Sequence, residues 1–164
     1  MRNILLSAFV ASSFAVGSIS SLAAQPVSQS IDVPAGAHLL LEAKGDGAQV
    51  YGCTNGHWVL TAPEAKLLDA QGSTIGTHIA GPTWRLTDGS EVKGKMIASQ
   101  PAPDGVSIPW LLLGAVEGSG KGRFAAVAYV RRTETHVGEA PKEASTEGKL
   151  SVPYTAVYSF YTAG

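Results

Sequence analysis

Ala48-Gln49-Val50-Tyr51-Gly52-Cys53-Thr54-Asn55-Gly56-His57-Trp58-Val59-Leu60 is the segment that most constrains the fold. Asn-Gly between two runs of apolar, aromatic and β-branched residues is a hairpin signal, because both turn positions need positive φ and these two residues reach it at least cost. The chain enters as a strand, reverses at Asn55-Gly56 and leaves as its antiparallel partner. Alternation along the first arm sets Gln49, Tyr51 and Cys53 on one face and Val50 and Gly52 on the other. Upstream, Ala37 to Ala43 is a short apolar run followed by Lys44-Gly45-Asp46-Gly47, which reads as a further strand closed by a glycine turn.

The same rhythm continues downstream. Glu64 to Asp69 and Thr74 to Ile79 flank the polar turn Ala70-Gln71-Gly72-Ser73, and Trp84-Arg85-Leu86 and Glu91 to Ala98 flank the Asp-Gly signal Thr87-Asp88-Gly89-Ser90. Ile108 to Val116 and Phe124 to Thr133 are the most apolar segments and are expected as central strands, separated by the glycine-rich Glu117 to Gly122. Leu150 to Tyr161 closes the chain as an aromatic strand with Tyr154, Ala156, Tyr158 and Phe160 on one face. With 19 glycines and 9 prolines spread at short intervals and no long amphipathic period, the fold class is all-β. The expected architecture is a single antiparallel sandwich or barrel built from hairpins.

The first residues follow a different grammar. Arg2, an uncharged run from Ile4 to Val16 and small residues ending Ser21-Leu22-Ala23-Ala24 predict a signal peptide over residues 1–24, cut after Ala23 or Ala24. The competing reading is a retained membrane anchor, but Ser7, Ser12, Ser13, Ser18, Ser20 and Ser21 dilute the apolar run. The expected product is secreted or periplasmic, without a stable membrane anchor. It comprises a flexible segment, residues 25–34, and one all-β domain, residues 35–164. Cys53 is the one cysteine in the sequence, so no intrachain disulfide can form. A shielded thiol, a link to another chain and a reactive nucleophile remain its three readings.

Charge excludes one class of partner. The formal net charge is −1, and the basic residues are scattered, with Arg131-Arg132 the one adjacent pair, so no basic stripe for nucleic acid exists. Gly118-Ser119-Gly120-Lys121-Gly122 is no phosphate loop: the position six before the lysine is Ala115, and Gly122 follows where Ser or Thr is required. Gly45-Asp46-Gly47 lacks the third glycine of a dinucleotide fingerprint. No nucleophile elbow is present, so no catalytic residue and no cofactor are assigned.

The four histidines, His38, His57, His78 and His136, lack metal-ligand spacing, and no metal is expected. His78 is the strongest candidate among them. It precedes the turn Gly81-Pro82 and Trp84, an arrangement that sets an imidazole beside an indole at a groove. Trp58 is a second stacking candidate, and Glu64 and Asp88 are candidate carboxylates, meaningful as a pair only at a suitable separation in space. The favoured expectation is a binding or envelope-associated module for a small molecule or glycan, using His78, Trp84, Trp58, Glu64 and Asp88. The alternatives are a metal-assisted or carboxylate-based hydrolase acting through His78, Glu64 and Asp88, and a structural partner protein. The residues leave oligomeric state open.

Five blocks in order carry a resemblance. They are Gly47 to Cys53, Pro63 to Leu67, His78 to Trp84, Ile108 to Leu112 and Val152 to Tyr161, and together they resemble the DUF3455 family of bacterial and fungal proteins over nearly all of the expected mature chain. The family has no established activity. Some fungal relatives carry dehydrogenase labels, but nothing here resembles a nicotinamide-binding fold and that activity is not transferred. The sequence departs from the family pattern after Thr133, where the resemblance implies Thr-x-Gly-Gly and then a second cysteine. Here the chain reads Thr135-His136-Val137-Gly138 and continues Pro141-Lys142-Glu143-Ala144-Ser145. If relatives bridge the two cysteines, the partner of Cys53 is lost and the loop Gly138 to Lys149 is looser.

Overall fold

A computed structural model describes residues 30–143 and 148–164. The expected signal peptide, most of segment 25–34, Ala144 and Ser145 lie outside the described residues. Eight strands follow one another: β1 (His38–Thr54), β2 (His57–Leu68), β3 (Thr74–Ile79), β4 (Thr83–Leu86), β5 (Glu91–Gln100), β6 (Trp110–Ala115), β7 (Val127–Val137) and β8 (Lys149–Thr162). Each pairs antiparallel with the next, and β8 returns to β1, so the sheet is a closed barrel. The choice between sandwich and barrel is made by this last ladder, which runs from His38 opposite Thr162 to Gly52 opposite Lys149. Closure removes the long unpaired edges that an open sheet of these strands would offer to another chain.

The hairpins at Asn55-Gly56 and Asp88-Gly89 form as the sequence predicts, with φ of 51° at Asn55 and 81° at Gly56. Lys44 to Gly47 does not turn. β1 passes through it without a break, and neither Gly45 nor Gly47 has positive φ. The two glycines serve close approach instead: a Cβ on Gly45 would lie 2.5 Å from Cε2 of Tyr158, and one on Gly47 would overlap the Glu64 carbonyl and Ala65. The expected strand from Phe124 is also shorter at its start. Gly122–Phe124 is a 3₁₀ turn, and β7 begins at Val127. Phe124 is thereby carried inward, where its ring stacks on Phe160 at 4.6 Å.

The aromatic face read from the last strand is the inner wall: Tyr154, Ala156, Tyr158 and Phe160 are all buried. With Leu67, Leu86, Val92, Phe124 and Val130 they form one continuous core. A smaller cluster lies outside the barrel, where Ile31 packs on Ala98 and Leu112 beside Trp110 and Tyr129. The Val50/Tyr51 bulge breaks the alternation in β1, so Gln49, Val50 and Tyr51 are all buried. Tyr51 Oη donates to the Gly138 carbonyl at 2.7 Å, while Cys53 is half-buried and its backbone N–H donates to the Gly148 carbonyl at 3.0 Å.

Antiparallel order gathers the β1–β2, β3–β4, β5–β6 and β7–β8 connections at one end of the barrel. Phe124 and its neighbours fill the other end. What remains open lies toward the first.

Candidate functional site

Toward the open end the inner wall encloses a cavity of roughly 150 Å³. Its polar walls are Gln49 from β1, His78 from β3, Trp84 from β4, Arg132 from β7 and Tyr158 from β8, and Leu111 and Leu113 supply an apolar side. Leu60 and Pro82, both exposed, mark the rim. Five strands thus deliver five polar side chains to one space, each as an inward position of the period-two pattern.

The sequence-predicted pair meets here. His78 and Trp84 are opposite one another in the β3–β4 ladder, and their rings stack with centroids 4.6 Å apart and planes 2° from parallel. The Tyr158 ring closes the group edge-on, 5.0 Å from His78 and 5.6 Å from Trp84. His78 Nδ1 lies 3.0 Å from the Thr83 carbonyl, a distance at which Nδ1–H donates and Nε2 keeps its lone pair. Burial, reinforced by the Arg132 charge and opposed by that hydrogen bond, holds the imidazole at a pKa of about 4. At neutral pH the ring is uncharged.

Tyr158 Oη lies 3.0 Å from Tyr154 Oη, and burial pushes both phenols well above their usual range, so both stay protonated. Arg132 is held from outside the cavity: Nε and Nη2 donate to the Pro109 carbonyl at 3.1 and 2.8 Å. Two buried polar atoms on this wall, Gln49 Oε1 and Trp84 Nε1, have no hydrogen-bond partner among the described residues. Such atoms are uncommon in native interiors, because an unpaired buried donor or acceptor costs about 1–3 kcal/mol.

The other predicted residues sit elsewhere. Trp58 is half-buried near the end of the first hairpin, opposite Cys53, and does not line the cavity. Glu64 is exposed on the outer face of β2, between the buried Pro63 and Ala65. Asp88 lies at the far end of β4, where its carboxylate accepts the Ser90 N–H at 2.8 Å. Hydrogen bonds from the Ser90 backbone and hydroxyl hold Asp88 below the usual carboxylate range, the behaviour of a turn-forming aspartate. The structure therefore joins His78 with Trp84 and separates both from Trp58, Glu64 and Asp88. Among the described residues, no three of His, Cys, Asp and Glu converge as metal ligands.

Gln49, Arg132 and Tyr158 escape sequence reasoning for separable reasons. Tyr158 is legible as part of an aromatic face but not as a cavity wall. Gln49 belongs to a strand whose sequence does not say which side is inner. Arg132 reads as surface charge beside Arg131, yet the two point to opposite faces: Arg131 lies over the Tyr161 ring at 5.7 Å and Arg132 lines the interior.

The family model described as a protein of unknown function, DUF3455, matches residues 34–162. The chain belongs to DUF3455. No curated protein and no solved structure matches it. Each of the five blocks that carry the DUF3455 resemblance brings at least one residue to the cavity wall: Gln49, Pro63, His78 with Pro82 and Trp84, Leu111, and Tyr158. The blocks are scattered along the DUF3455 chain and converge on one cavity in its barrel.

Proposed function

We propose that this protein is an exported binding module that takes a small molecule into the open end of its barrel. The observation that carries the reading is the pair of buried, unpartnered atoms, Gln49 Oε1 and Trp84 Nε1, on the wall of one cavity. An amide and an indole N–H left unpaired beside an aromatic and aliphatic wall match a guest whose compact polar head pairs with them and whose apolar atoms fill the rest. Among the described residues the walls carry one histidine, neutral at physiological pH, and no carboxylate, which favours binding over general acid–base hydrolysis. At roughly 30 Å³ per water, 150 Å³ equals about five waters, so the guest is a compact molecule or the end group of a larger one.

The test is a fragment screen on the protein starting at Gln25, read by the Trp84 indole N–H resonance in wild type and Gln49→Met, with Trp84→Phe assigning that resonance. Hits that shift the indole signal in wild type and are lost in folded Gln49→Met support the reading. If no fragment perturbs Trp84 at millimolar concentration, the cavity is a hydrated packing defect and the reading fails. Export is tested by N-terminal sequencing of the protein recovered outside the cytoplasm, where Ala24 or Gln25 is the expected first residue.

A further inference from the structure

The cavity favours one charge class over others. Arg132 lies on the inner wall with its guanidinium tied back at Nε and Nη2, and the fork keeps three further N–H groups, with the Tyr158 hydroxyl as one acceptor among the wall groups. No carboxylate forms an ion pair with it among the described residues: the salt bridge there is Arg85 with Glu91 on the outer surface, and Glu139 on the β7–β8 loop is exposed. Arg132 is half-buried and has no anion beside it among the described residues, and its planar fork fits the two oxygens of a carboxylate. The neutral His78, the two protonated tyrosines and the Trp84 N–H add no negative charge to oppose an anion.

Resting on the binding reading above, we propose that the guest is a short-chain carboxylate. Its two oxygens meet the remaining edge of Arg132 and accept from Trp84 Nε1–H, a half-turn of the Gln49 amide presents Nε2–H to them in place of Oε1, and its hydrocarbon end lies against Leu111, Leu113 and the Trp84 ring. The hydrocarbon end separates this guest from an inorganic anion. A mineral anion gains the charge contact but leaves the leucine wall uncovered, whereas a neutral molecule of the same shape covers the wall and leaves Arg132 without a counter-charge. The cavity's size limits the chain to a few carbons beyond the carboxylate.

The experiment compares propionate, butyrate, octanoate, propionamide and inorganic phosphate by titration calorimetry and by the Trp84 indole signal. Wild-type protein starting at Gln25 is used, so no variant need fold for the main comparison. Propionate or butyrate binding at least tenfold tighter than propionamide and than phosphate is the expected result, with octanoate weaker for want of room. Arg132→Lys retains the charge without the fork and is expected to weaken propionate several-fold and propionamide by a smaller factor, because the amide loses one neutral hydrogen bond and the carboxylate a bidentate charged pair. Equal binding of propionate and propionamide overturns the carboxylate assignment but leaves the binding site standing. Phosphate binding as tightly as propionate overturns the role of the apolar wall. Silence of all five probes at Trp84, while neutral fragments still shift it, removes this proposal alone.

Discussion

Acidification through the range where His78 would ordinarily protonate tests the buried site directly. The imidazole pKa falls from 6.5 to about 4 on folding, with burial as the main cause. Below the unfolded pKa the unfolded chain binds the proton and the folded chain does not, so stability contributed by neutral His78 is lost as pH falls from about 6.5 toward 4. With those two pKa values, moving from pH 7.5 to pH 4.5 removes about 2–3 kcal/mol, since each tenfold difference in proton affinity between the two states is worth about 1.4 kcal/mol. In a domain of this size that corresponds to a fall in Tm of about 10 °C.

Asp88, Glu91 and Asp104 are held below the usual carboxylate range, so their contributions also fade in acid and the wild-type curve is a sum. His78→Asn isolates the imidazole, because the Asn amide can still donate to the Thr83 carbonyl but does not titrate. The assay is urea unfolding at pH 7.5 and pH 4.5, followed by tryptophan fluorescence, on both proteins. The variant is less stable at pH 7.5, having lost the Trp84 stack, yet loses about 2–3 kcal/mol less on acidification. Equal acid losses in the two proteins would refute the claim that His78 is held neutral by burial.

Gln49→Met removes an unpaired buried oxygen at nearly constant volume, and stabilisation of about 1 kcal/mol is expected in urea titration, with ligand binding lost. Gly47→Ala is expected to destabilise by about 1–3 kcal/mol or to prevent folding, since its Cβ meets the Glu64 carbonyl and Ala65 rather than a movable side-chain end. An unchanged midpoint would show that β1 and β2 can separate there. Phe160→Ala is expected to cost about 3–5 kcal/mol, because the ring is fully buried and packs on both Phe124 and Trp84. Calorimetry reads this as a large drop in Tm, whereas a loss under about 1 kcal/mol would mean that the barrel's filled end is loosely packed.

Local sequence is enough to say that this chain folds as hairpins. Asn55-Gly56 and Asp88-Gly89 specify their turns through backbone preference, and the alternating Tyr154, Ala156, Tyr158 and Phe160 specify a buried face; both effects act within a few residues. It also marks His78 and Trp84, which lie close in the chain across a single turn. The rest depends on contacts between distant segments. Gly45 and Gly47 carry the composition of a turn, and only the Tyr158 ring and the Ala65 backbone arriving from β8 and β2 explain why they are extended. Closure depends on β1 meeting β8, a pairing between opposite ends of the described chain that no local preference encodes. The cavity depends on it too: Gln49, Arg132 and Tyr158 become neighbours of His78 only when the sheet closes. Each strand fixes which side chains can point inward, and the closed circumference fixes which of them face one another.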